Sequence, residues 1–166
     1  MQLDPKIEQA LNEQINQEMA AAYAYLAASA WFEAENFKGF ANWMSVQRRE
    51  ELDHAMRLIR YLLDRGGRLD LAAVAKPQAT FNSVLEVFQN ALKNEQNNTR
   101  AIHRLYKLAG EADDYSTQSF LKWFIDEQVE EESTMHEAIG MLEHAGDDAS
   151  AILVLNQQMG SRSDEG

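Results

Sequence analysis

The stretch "QRREELDHAM", residues 47–56, lies between "FKGFANWMSV" (37–46) and "RLIRYLLDRG" (57–66). Across all three runs, Phe40, Met44, Gln47, Glu51, His54, Leu58 and Tyr61 follow one another in steps of three and four. That spacing puts them on one face of a single helix. The face is apolar at both ends, yet a carboxylate and an imidazole stand at its centre. A helix that packs through this face must bury Glu51 and His54, and the reason for doing so decides both fold and chemistry.

Three other stretches repeat the pattern. Asp4 then Pro5 reads as an N-cap and first helical position. A helix from there to about Glu33 carries Leu11, Glu18, Tyr25 and Phe32 in one column, flanked by Ile15, Ala22 and Ser29. The helix around the opening stretch runs from about Phe37 to Arg65, and Gly66-Gly67 stops it. A third begins near Phe81, follows Val84, Phe88, Ala91, Glu95, Asn98, Ile102 and Tyr106, and ends at Gly110. A fourth, capped by Asp113 or Asp114, follows Leu121, Phe124, Gln128, Glu131, Met135, Ala138 and Leu142 to about Gly146. The apolar run "ASAILVLNQQM" makes a short fifth helix at about 148–158, and the tail after it is expected to be disordered.

Four helices of nearly thirty residues make an all-α four-helix bundle, each helix roughly 40 Å long. The first and last pairs have short links and form antiparallel hairpins. The middle link is about fifteen residues and reaches roughly 50 Å when extended. It can run the length of the bundle, which makes the second and third helices parallel. The chain, 1–166, is expected to be a single domain.

A formal net charge of −12 argues against nucleic acid and suits a protein that attracts cations. Without cysteine there is no disulfide, thiolate metal site or thiol nucleophile. No apolar signal core or membrane-length apolar run appears, so a soluble cytoplasmic protein is expected.

Each column is interrupted at mid-height: Glu18, then Glu51 with His54, then Glu95, then Gln128 with Glu131. Glu18 to Glu51 is 33 residues, and so is Glu95 to Gln128. Buried, ionised and unpaired, such carboxylates would cost several kcal/mol each. No lysine or arginine occupies the columns at that level. They must take up protons or hold metal, and two divalent cations balance four carboxylates. Oxygen and imidazole donors without thiolate suit iron or manganese and tolerate zinc. Glu51 is the natural bridge, with Glu18 and His54 toward one metal and Glu95 and Glu131 toward the other. Gln128 is uncharged and reads as a hydrogen-bonding neighbour. His103, His136 and His144 read as surface residues.

"EQINQEMAAAYAYLAASAWF" (13–32), "REELDHAMRL" (49–58), "ALKNEQNNTR" (91–100) and "FIDEQVEEEST" (124–134), at these separations, resemble the bacterial non-haem ferritins over nearly the whole chain. The resemblance implies a ferroxidase centre for two irons, with Glu18, Glu51 and His54 at one and Glu95, Glu131 and bridging Glu51 at the other. It further implies a third iron site at Glu50, Glu127 and Glu130, with Tyr25 and Trp123 beside the centre. Fe(II) would be oxidised by dioxygen or hydrogen peroxide and stored as Fe(III) mineral inside a homo-oligomeric 24-subunit shell. The haem-bearing relatives place methionine directly after the bridging glutamate. Leu52 stands there in this chain, so no haem is expected. They also repeat Glu-x-x-His where this chain has Gln128-x-x-Glu131. The rival expectation is a di-iron oxidase or oxygenase that uses the same bundle on an organic substrate.

Overall fold

The computed structural model describes residues 3–163. Five helices follow in order: α1 (Pro5–Ala34), α2 (Lys38–Asp64), α3 (Val84–Glu111), α4 (Tyr115–Ala145) and α5 (Ala149–Met159). No strand occurs among the described residues. None of their helices is long and apolar enough to cross a membrane.

The boundaries follow local chemistry. Asp4 accepts from the Lys6 amide at 2.8 Å, with Pro5 opening α1. Gly66, at φ +75°, ends α2 in the left-handed conformation. At two other helix ends Asn36 and Asp113 take that conformation, as short polar side chains can. Two sequence expectations shift as a result. The third helix passes Gly110 to Glu111, because Asp113 supplies the left-handed turn. It also starts at Val84 and not near Phe81. Ser83 is extended at φ −157° and caps the Glu86 amide at 3.1 Å, while the Glu86 carboxylate reaches back to the Asn82 amide at 2.7 Å.

The α2–α3 crossover runs the length of the bundle beside α1. At its start the Arg68 amide donates to Glu8 and the Asp70 amide to Asn12, at 3.1 and 2.8 Å. At its end the Phe81 ring meets Trp31, with centroids 5.5 Å apart. α2 and α3 are therefore parallel.

Two apolar clusters fill the bundle ends. One gathers Phe32, Phe40, Met44, Phe88 and Met135, and the other Ile7, Leu11, Leu58, Leu62, Ile102 and Leu121. Between them lies a buried polar layer: Gln14, Glu18, Gln47, Glu51, His54, Glu95, Asn98, Gln128 and Glu131. α5 packs across the start of α2 through a close backbone approach at Gly39. Of the tail expected to be disordered, residues 160–162 are held: the Asn42 side chain donates to the carbonyls of Gly160 (3.2 Å) and Arg162 (3.0 Å). Residues 164–166 lie outside the described residues.

Candidate metal centre

Glu18 from α1 and Glu51 with His54 from α2 converge in the polar layer, and their ligand atoms all lie within 4.8 Å of one another. Glu18 and Glu51 are wholly buried and His54 is 5% exposed. His54 Nδ1 stands 3.9 Å from Glu18 Oε2 and 3.8 Å from Glu51 Oε1, too far for a hydrogen bond. Both oxygens of Glu51, and His54 Nδ1, have no hydrogen-bond partner. Ring edges of Trp123 and Phe124 hold the imidazole in place, with centroids 5.3 and 5.9 Å away.

The other carboxylates are held by neutral donors. Glu18 accepts from Gln14 Nε2 at 2.7 Å and from Asn98 Nδ2 at 3.2 Å. Glu95 accepts from the Tyr25 hydroxyl at 2.5 Å and from Gln128 Nε2 at 3.2 Å. Glu131 accepts from Gln47 Nε2 at 2.7 Å. Amide donors fix the orientation of a carboxylate without cancelling its charge, whereas lysine or arginine in their place would form closed ion pairs. Glu51 alone of these acids receives no such donor.

The electrostatics record the resulting excess of negative charge. Burial, then the charges of Glu95 and Glu18, pushes the Glu51 carboxyl well above the ordinary range. Burial lifts Glu95 to about 7 against the opposing bonds from Tyr25 and Gln128. Burial and the Glu95 charge lift Glu131 to about 8, against the bond from Gln47. Burial, then the neighbouring acids Glu95, Glu131 and Glu51, raises the Tyr25 phenol too. A divalent cation would reverse these shifts by replacing the lost hydration of the charged oxygens. The donor set of carboxylate oxygens, one imidazole and no thiolate fits iron or manganese.

Glu50, Glu127 and Glu130 line a cleft of about 580 Å³ together with Asp53, His54 and Glu131. The sequence-predicted third set therefore adjoins the buried one, with His54 and Glu131 shared between cleft and centre. On the far side a cavity of about 440 Å³ lies under the crossover, lined by Ala21, Ala24, Ala28 and Asn94, and it reaches Tyr25 and Asn98. His103, His136 and His144 are exposed, away from both.

Four residues of the site were missed as partners. Gln14 stands three after Leu11 and four before Glu18, on the face of the first helix's column, and the seven-residue spacing alone passes over it. Gln47 and Asn98 sit on their columns, but sequence does not say which carboxylate an amide will meet. Arg162 comes from the tail, donates to Gln47 Oε1, and pairs with Glu50 at 2.9 Å. No periodicity marks it.

A helical bundle with a buried layer of carboxylates and an imidazole whose Nδ1 has no partner defines the class of carboxylate-bundle proteins. Comparison with known proteins narrows it. A profile of the ferritin-like domain matches residues 8–145. The bacterial non-heme ferritin of Staphylococcus aureus is 40% identical over 161 residues, covering 97% of either chain. The bacterial non-heme ferritin of Staphylococcus epidermidis matches with the same identity and coverage. The open pore ferritin of the hyperthermophilic archaeon Archaeoglobus fulgidus superposes with a TM-score of 0.96 at 39% identity, covering 97% of this chain and 99% of that one. A humanized archaeal ferritin gives 0.97 at 38% identity, covering 99% of both. The chain belongs to the ferritin family.

Proposed function

We propose that the chain is an iron-storage ferritin subunit that oxidises Fe(II) at the buried layer and delivers Fe(III) to a mineral inside a 24-subunit shell. One observation carries this reading. Glu51 and His54 present three buried polar atoms without partners amid further carboxylates. Such an arrangement is costly in an inert scaffold, and it is what a transient cation requires.

Fe(II) is the substrate. Glu18 and His54 would hold one ion, Glu95 and Glu131 the second, and Glu51 would bridge them. Each Fe(II) gives up one electron. Dioxygen takes both electrons and two protons and leaves as hydrogen peroxide, which can itself oxidise further Fe(II). Raised carboxyl pKa values mean that iron displaces protons from these acids, close to where the oxidant needs them. The helices fix the ligands, so little reorganisation is left for the reaction. Glu50, Glu127 and Glu130 would offer a third, weaker position between the centre and its surroundings. The dioxygen, being neutral and small, suits the mostly apolar and amide-lined cavity beside Tyr25, where Lys76 is the one charged residue in the lining.

α5 favours assembly. Leu153 and Val154 are more than half exposed on a short helix, and an apolar face of this kind is buried when copies meet.

A second reading, a di-iron oxidase acting on an organic substrate, is favoured by one feature. The 440 Å³ cavity at Tyr25 falls in the size range of ligand pockets. The mass and iron content of the purified protein after aerobic Fe(II) loading separate the two. A shell of about 24 subunits holding iron far above the few ions per subunit that the ligand set can bind supports storage. A small oligomer with about two irons per chain overturns it.

A further inference from the structure

The acid cleft beside the centre already contains a cation of the chain's own. Arg162 Nη2 lies 2.9 Å from Glu50 Oε2 and 3.2 Å from Oε1, and Nη1 donates to Gln47 Oε1. Its guanidinium carbon sits 4.8 Å over the Trp43 ring, another wall of the cleft. Asn42 clamps the backbone here through the Gly160 and Arg162 carbonyls. Charge, ring face and backbone thus agree on one placement for a residue only four from the chain's end.

The Gln47 contact extends its effect to the centre. An amide that accepts from Arg162 on Oε1 must turn Nε2 the other way, and Nε2 donates to Glu131 Oε2 at 2.7 Å. Arg162 therefore sets the orientation of Gln47, and Gln47 sets that of Glu131. At its other hand the guanidinium ties up both oxygens of Glu50, one of the acids an ion in the cleft would need.

We infer that Arg162 is a tethered competitor for the acid cleft: a third metal ion binds there only by displacing the tail, and that displacement releases Gln47 and frees Glu131 to move. The inference rests on reading the cleft, lined by Glu50, Asp53, Glu127 and Glu130, as a metal site. The competition is winnable. Arg162 and Glu50 side chains are about one-quarter exposed, at 26% and 25%, and pairs that reach solvent contribute little. A divalent ion brings twice the charge and direct coordination. Filling the cleft and loosening the centre then become one event, which suits a position that passes iron on.

The test uses the assembled full-length protein and redox-inert Zn²⁺. The chain has no cysteine, so Ser163→Cys carries a single spin label. The metal-free label should be immobilised and should become mobile as the third Zn²⁺ per subunit binds. Without the label, Arg162→Ala should bind its third Zn²⁺ about five-fold more tightly than the wild type, the change expected on removing a part-exposed competing pair. Its first binding step, away from Gln47, should be unchanged, while the second, which uses Glu131, should shift as Gln47 is released. Arg162→Lys, which keeps the charge but loses the fork, should fall between them. A label that stays immobile at full loading, or a third step in Arg162→Ala no tighter than wild type, overturns the inference. If neither protein takes more than two ions, the third-site reading falls and this inference with it. If wild type takes three and the tail does not move, only the inference falls.

Discussion

Glu51 separates a scaffold from a site more sharply than any other residue. Its carboxylate is wholly buried, both oxygens lack partners, and its pKa is raised first by burial. In the metal-free protein it is a liability. Glu51→Met, similar in length and apolar, should stabilise the chelated protein at pH 8 by about 1–3 kcal/mol. On the bridging role proposed for Glu51, it should also slow the initial Fe(II) oxidation by about 100-fold or more. Thermal unfolding and stopped-flow absorbance check the two effects. A less stable variant with wild-type rates would place the ions elsewhere. Tyr25 is read through Glu95. Its hydroxyl, 2.5 Å from Glu95 Oε1, opposes the burial that lifts that carboxyl. Tyr25→Phe leaves Gln128 as the side-chain donor to Glu95 and lets its pKa rise further, so the second ion meets a more tightly held proton. Zn²⁺ affinity of the second step at pH 6.5 should fall by several-fold, while the first step, which the proposal assigns to Glu18 and His54, should not change. Equal second-step affinities in calorimetry would return Tyr25 to packing.

The helices were legible because a bundle column is a periodic object. Leu11, Glu18, Tyr25 and Phe32 recur every seven residues and all are buried. The same columns gave the carboxylates, since a polar residue on an apolar face stands out. What depends on contacts between columns was not legible. The donor to Glu131 is Gln47, 84 positions away, and the donors to Glu18 include Asn98, 80 away. Nothing in the spacing selects those pairs over others. Helix ends were legible to within a few residues, and the start of α3 slipped because Phe81 continues its apolar column although Ser83 is the cap. The docking of α5 was also hidden, because it depends on a missing atom. A Cβ at Gly39 would lie 1.7 Å from the Asn156 carbonyl oxygen, which is backbone and cannot swing away. Gly39→Ala should therefore lift α5 from α2, at about 1–3 kcal/mol of overpacking. The bundle should keep its helicity and its first two Zn²⁺, while light scattering should show smaller assemblies. An intact shell with unchanged melting would mean that α5 is not held there.

Across the entire molecule the buried acids set how stability depends on pH. Glu95 titrates at about 7 and Glu131 at about 8, with Glu51 also raised, whereas the same groups in the unfolded chain titrate near the ordinary value of 4.5. Between those limits the folded, metal-free protein binds more protons than the unfolded chain. Stability is then fully present below about pH 4.5 and is lost as pH rises toward 8, at about 1.4 kcal/mol per pH unit for each extra proton held. The net charge of −12 adds repulsion in the same direction. Divalent ions change the sign of this dependence by displacing the protons, since metal affinity grows as the ligands ionise. Two linked outcomes follow. The melting temperature of chelated protein should fall steadily from pH 5 to pH 8, and saturating Zn²⁺ should abolish the fall, leaving the metal-bound form at least as stable at pH 8 as at pH 5. Titrating Zn²⁺ into weakly buffered protein at pH 7 should release more than one proton per subunit, because Glu131 is mostly protonated there and Glu95 about half, with the raised Glu51 adding to them. Calorimetry in buffers of different ionisation enthalpy measures that number. A flat melting profile together with no proton release would mean that these acids are ionised and satisfied without metal, and the polar layer would then be a structural network and not a place for iron.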